Sequence, residues 1–180
     1  MNRLLWMAAV GSVVLAWPAY GQESTRKDFE EFCRAWEGRW VGDVTWVTNW
    51  EGVGNRGEKV TAYFEGRVVN DGHAMIGTFF GGDGSSTSLI FYDPGMKRIR
   101  WIWVDSGGTM NESIMYRHGE EWKSEGIGSK ADGTKITFTN SVRITDGGDT
   151  HTWTGTGTDG DQAMEQQNDV WRRVGKSLMK

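Results

Sequence analysis

Lys135-Ile136-Thr137-Phe138-Thr139-Asn140-Ser141-Val142-Arg143-Ile144-Thr145 alternates more strictly than any other stretch of the chain. Ile136, Phe138, Val142 and Ile144 fall on one side of an extended backbone; Thr137, Thr139, Ser141, Arg143 and Thr145 fall on the other. That period of two, rich in β-branched residues, describes a strand with one face on a core and the other in water. Asp132-Gly133 stands before it and Asp146-Gly147 after it, both favoured hairpin pairs.

The same punctuation recurs outward in both directions, at Asp71-Gly72, Asp83-Gly84 and Asp159-Gly160. Asp93-Pro94-Gly95-Met96 suits a type II turn, with Pro second and Gly third. Ser106-Gly107-Gly108 and His118-Gly119 add two breaks. Ten strands lie between these signals, at about 38–50, 58–70, 73–82, 86–93, 98–105, 109–117, 120–129, 134–145, 150–158 and 163–174. Short connections make each strand antiparallel to the next, and closing such a meander into an up-and-down barrel removes its edges. A two-sheet sandwich is the alternative, since periodicity does not prove closure.

Composition agrees with an all-β domain. Beyond residue 21 there are two leucines and five alanines against 11 Val, 8 Ile, 16 Thr, 7 Phe, 3 Tyr and 9 Trp. One short helix is expected near the start. Ser24 or Thr25 can cap it, and Phe29, Phe32, Cys33 and Trp36 repeat at helical spacing before Gly38. Residues 1–21 read as a signal peptide, with Arg3, an apolar run from Leu4 to Trp17, and small residues at Ala19-Tyr20-Gly21. That leaves residues 22–180 as a single exported domain, periplasmic or secreted, with no membrane insertion once the leader is removed. Losing Arg3 leaves 19 basic against 24 acidic side chains, which argues against nucleic acid as a partner. Cys33 has no partner for an internal disulfide and reads as a buried apolar residue.

Parity assigns the interior. Trp40, Val44, Trp46 and Trp50 share a face, as do Ile99, Trp101 and Trp103. The same rule turns Asn140, His151 (with Trp153), Gln166 and Asn168 inward on the last three strands. Buried polar groups need partners, and a mostly apolar cavity with a few converging polar groups is typical of a small-molecule site. The expected lining is Trp46, Phe64, Trp101, Trp103, Asn140, His151, Trp153, Gln166 and Asn168.

Trp36-Glu37-Gly38-Arg39-Trp40-Val41-Gly42 resembles the G-x-W opening of lipocalins and other calycins. The resemblance implies that Trp40 closes the barrel against an Arg of the last strand, Arg172 or Arg173. Phe91-Tyr92-Asp93-Pro94, Ile99-Arg100-Trp101-Ile102-Trp103-Val104-Asp105-Ser106-Gly107-Gly108, Glu121-Trp122-Lys123 and Ala131-Asp132-Gly133-Thr134 together resemble an uncharacterised bacterial family of exported calycin-like barrels. The likeness spans roughly residues 30–174 and implies an interior pocket without an established activity. Related nitrobindin-type barrels open with the same motif and bind haem through a His near the last strand. Gln166, Gln167 and Asn168 occupy that stretch here, so no cofactor is expected; His151 is the nearest substitute for the haem ligand.

Other motifs carry little chemistry. Gly52-Gly54-Gly57 and Gly155-Gly157-Gly160 match G-x-G-x-x-G, but neither precedes a helical pattern. His73, His118 and His151 lack metal-ligand spacing, and the acidic loops lack that of a calcium site. Asp105 and Glu112 flank the Gly107-Gly108 turn as a candidate carboxylate pair at the barrel rim, and Asn111-Glu112-Ser113 is a glycosylation sequon. Three functions follow. The first is a carrier or sensor of a small, largely apolar molecule. The second is an enzyme using His151 as acid–base, and the third a filled barrel that acts through its surface.

Overall fold

The computed structural model describes residues 22–177, so the expected signal peptide lies outside the described residues. One helix, α1 (Arg26–Trp36), precedes an antiparallel sheet. Its strands are β1 (Gly38–Thr45), β2 (Lys59–Val69), β3 (Ala74–Gly81), β4 (Gly84–Asp93), β5 (Arg98–Asp105), β6 (Met110–His118), β7 (Glu121–Ser129), β8 (Lys135–Thr145), β9 (Thr150–Asp159), the two-residue β10 (Gln162–Ala163) and β11 (Gln167–Gly175). Each of β1 to β9 pairs with the next, β9 pairs with β11, and β11 returns to β1. The result is a closed ten-stranded barrel, with β10 an appendage on the end of β9. Closure settles the choice between barrel and sandwich.

Parity holds where strands are unbroken. On β8, Ile136 and Val142 are buried while Thr137, Thr139 and Arg143 are exposed. On β1, Trp40 and Val44 are buried and Asp43 is exposed. The first strand, however, ends at Thr45 rather than near Trp50. Trp46 still pairs through its N–H with the Glu58 carbonyl, but residues 47–56 then leave the sheet and fold across the barrel mouth. Thr48 donates to Asp159 Oδ2 at 2.5 Å, and the Glu165 N–H donates to the Val47 carbonyl at 3.0 Å, which ties this loop to the far rim. The Asp93-Pro94 turn also differs. Gly95 does not take positive φ; Lys97 does (53°), and Asp93 Oδ1 accepts the Gly95 and Met96 N–H groups.

Helix α1 plugs the opposite end. Thr25 and Asp28 form a reciprocal capping box, while Ser24 instead donates to the Met115 carbonyl. Phe29 and Phe32 are fully buried and pack with Trp36 on Met75, Ile90, Ile99, Met115, Trp122 and Val142. Phe32 stacks on Trp36 at 4.2 Å and meets Trp122 edge-on at 5.2 Å. Each end contains a close backbone approach. A Cβ at Gly66 would lie 2.5 Å from the Trp36 carbonyl oxygen, and one at Gly107 would lie 1.9 Å from that of Glu51. Only glycine lets the plug and the loop seat so closely.

Candidate functional site

Between helix and loop the barrel is hollow. A lobe of about 250 Å³ lies toward the loop and one of about 190 Å³ toward the helix. Val44, Trp46, Phe79, Trp101, Trp153, Gln167 and Asp169 line both, so the two lobes adjoin. Trp103, Phe138, Met164 and Asn140 complete the outer lobe; Trp36, Trp40, Phe64, His151 and Trp171 complete the inner one. The structure thus brings together seven of the nine expected lining residues: Trp46, Phe64, Trp101, Trp103, Asn140, His151 and Trp153.

Gln166 and Asn168 are corrections. Both are exposed, and the Asn168 side-chain amide donates only to the Gln166 carbonyl. Their parity was counted from Met164, which is buried, but the chain is not a strand between Met164 and Gln166. Gln167, the next buried-face position, comes three positions after Met164 rather than two, so the phase shifts by one. Gln167, Asp169 and Trp171 therefore line the cavity instead, and their only sequence signal was the acidic-amide cluster itself.

Arg173, not Arg172, reaches the Trp40 ring, its guanidinium carbon 4.2 Å from the centroid. It also donates to the carbonyls of Glu37, Ala35 and Gly148 and to Asp149. Arg172 points outward to Asp43. Trp40 is thus held between Arg173 on one face and His151, whose ring centroid lies 4.1 Å away, on the other.

His151 is 2% exposed, and Trp36 lies close to it as well, at 4.6 Å. Burial first, and the Arg173 charge second, push its pKa down to about 3, against an opposing hydrogen bond to the Ala35 carbonyl. Its Nε2 has no partner. A neutral ring so held offers a hydrogen-bond acceptor to the inner lobe and is a poor proton carrier near neutrality. Trp46 Nε1 and Trp101 Nε1 are likewise buried without partners. Asp169, also 2% exposed, accepts the Thr45 N–H (3.1 Å) and Gln167 Nε2 (2.6 Å). Burial raises its pKa, and these two bonds oppose the rise.

The remaining candidates resolve as structural features. Arg100 binds Glu112 through Nε at 2.7 Å, while Asp105 Oδ1 accepts the Gly107 and Thr109 N–H groups. The two carboxylates therefore have separate partners. Asn111 is fully buried, which places the sequon beyond the reach of a glycan in the folded chain. Cys33 is buried and its thiol is pushed up to about 12, mainly by burial. Among the described residues no three His, Cys, Asp or Glu side chains cluster as a metal site. Trp36 and Trp40 crowd the His151 imidazole, with ring centroids 4.6 and 4.1 Å from its own, so the nearest substitute for a haem ligand is packed against two indoles.

No family model and no curated protein matches the chain. The fold resembles that of the crystal structure of Rv2717c from M. tuberculosis, with a TM-score of 0.57 and 13% sequence identity over 81% of this chain and 96% of that one. At that identity the likeness concerns the fold alone: a ten-stranded antiparallel barrel.

Proposed function

We propose that this chain is an exported binding protein, a carrier or sensor of a small, largely apolar molecule held inside the barrel. The observation that supports this most is the aromatic-walled cavity, lined by Trp46, Trp101 and His151, each of which keeps a buried ring nitrogen without a hydrogen-bond partner. Buried polar atoms left unpaired cost about 1–3 kcal/mol each, so a native protein keeps them where something else pairs them. The apolar wall supplies the larger share of binding and the polar atoms fix orientation. Export rests on Arg3 and the apolar run that follows it. An enzymatic use of His151 has less support, because the ring does not take up a proton near neutral pH. A filled barrel acting through its surface is disfavoured by the free volume.

Native mass spectrometry of the protein purified gently from its own host tests the reading. The expected result is a stoichiometric extra mass that denaturation removes. In Ser113→Phe, where a ring replaces a buried hydroxyl on the cavity wall, that mass is lost while the barrel still melts cooperatively. A clean apo mass for the wild type, with no saturable change in tryptophan fluorescence across a panel of apolar probes, overturns it.

A further inference from the structure

We infer that the ligand is a monovalent organic cation: an ammonium head on an apolar body, with the head at Asp169 and the body among Trp46, Trp101 and Trp153. The inference rests on the reading of the cavity as a ligand site and adds the sign of the ligand's charge.

Among the described residues, the ionisable groups lining the two lobes are Asp105, Glu165, Asp169 and His151, and no Lys or Arg lines either. Two of the carboxylates reach solvent: Asp105 is half-buried, and Glu165 is exposed and pairs with Arg56 at 3.0 Å. Asp169 is different. It is the most buried of the three, it lines both lobes, and its hydrogen-bond donors are both neutral. A carboxylate offers about four lone-pair sites, and here two are used. A buried charge without a countercharge is costly, and a ligand cation removes that cost on binding.

The surroundings favour the same sign. The negative faces of indole rings attract cations, most strongly when both are desolvated. Trp46, Trp101 and Trp153 line both lobes with Asp169. His151 Nε2, a free acceptor on the inner lobe, suits an ammonium N–H. The unpaired Trp101 indole N–H suits a neutral oxygen on the ligand body, since an anionic one would share the lobe with Asp169. An anionic ligand would find no cation in the lining.

Three matched probes decide the sign: 4-phenylbutylamine, 4-phenylbutan-1-ol and 4-phenylbutyrate, titrated calorimetrically into the mature protein near neutral pH. The amine is expected to bind at least about tenfold tighter than the alcohol, and the carboxylate weakest. In Asp169→Asn the amine falls to the affinity of the alcohol, whose own binding is unchanged. Unchanged alcohol binding shows that the variant is folded, and the ranking on wild-type protein stands without any variant. Equal binding of amine and alcohol, or tightest binding of the carboxylate, overturns the inference and leaves the cavity reading intact. No saturable binding of any of the three overturns both.

Discussion

The two ends of this barrel are built from the same strands yet differ inside. Around α1 the interior is more tightly packed: Phe29, Phe32, Met75, Ile90, Ile99, Met115 and Val142 are all inaccessible to solvent, and only the smaller lobe remains on that side. Toward the 46–58 loop the same strands enclose free space, and Trp101, Trp103, Phe138 and Trp153 are only partly buried. A helix drives large side chains into a barrel at every turn, whereas a loop that crosses the mouth covers it without filling it. The polar groups follow the same division. Arg173 at the plugged end is satisfied by three carbonyls and a carboxylate, while Trp46 and Trp101 leave N–H groups unpaired at the hollow end. Stability thus concentrates at one end, and unmet binding capacity at the other.

Truncation is the strongest way to break that division. Phe32→Ala removes a fully buried ring stacked on Trp36 and is expected to cost about 3–5 kcal/mol in urea denaturation. Trp103→Ala, on the cavity wall, is expected to cost under ~2 kcal/mol, because space already adjoins the ring and no tight packing is lost. Equal costs at the two sites would mean that the hollow end is packed in solution.

His151 lies on the boundary and sharpens the comparison through pH. Its pKa is about 3 in the fold against an ordinary 6.5, so the unfolded chain binds the extra proton between those values. The stability it supports is complete above about pH 6.5 and declines as pH falls toward 3, by up to ~1.4 kcal/mol per pH unit. Asp169 acts in the opposite sense. Its raised pKa means that it supports the fold at low pH and loses that contribution as pH rises through its folded value. Urea denaturation at a series of pH values should therefore show a shallower acid decline for His151→Phe than for the wild type. An unchanged slope would mean that the imidazole is already hydrated or charged in the fold.

How much of this was legible in the sequence depended on whether strands were continuous. Period two along β8 and β5 named the inward residues correctly because nothing interrupts the pleat there, and the antiparallel meander followed from hairpin spacing, whereas its closure into a barrel did not. Parity failed on β11, where a three-residue break shifts the phase and exchanges Gln166 and Asn168 for Gln167 and Asp169. After Thr45 it was the strand boundary that failed: Trp46 and Trp50 still line the cavity, as their alternation implies, while the backbone leaves the sheet. Neither break carries a proline or an Asp-Gly step to announce it. The cavity itself was not legible, since whether nine tryptophans fill a barrel depends on how they pack in three dimensions.

The smallest expected effects come from the last strand, where two neighbouring arginines serve opposite faces. Arg173 bonds three carbonyls and Asp149 beneath Trp40, with its side chain 23% exposed. Removing it leaves acceptors at the plugged end without donors, so Arg173→Ala is expected to cost about 2–3 kcal/mol. Arg172 forms a solvated pair with Asp43, the two side chains 61% and 73% exposed, and Arg172→Ala is expected to change stability by less than ~0.5 kcal/mol. The contrast matters beyond stability. Arg173 also holds the Ala35 carbonyl to which the His151 ring bonds, so its loss frees the imidazole to turn and releases Trp40 from one side. Quenching of tryptophan fluorescence by acrylamide reads that release: it should rise in Arg173→Ala and stay at the wild-type level in Arg172→Ala. A rise in both variants would show that the two arginines share the closure, and that the helix end is held by the strand as a whole.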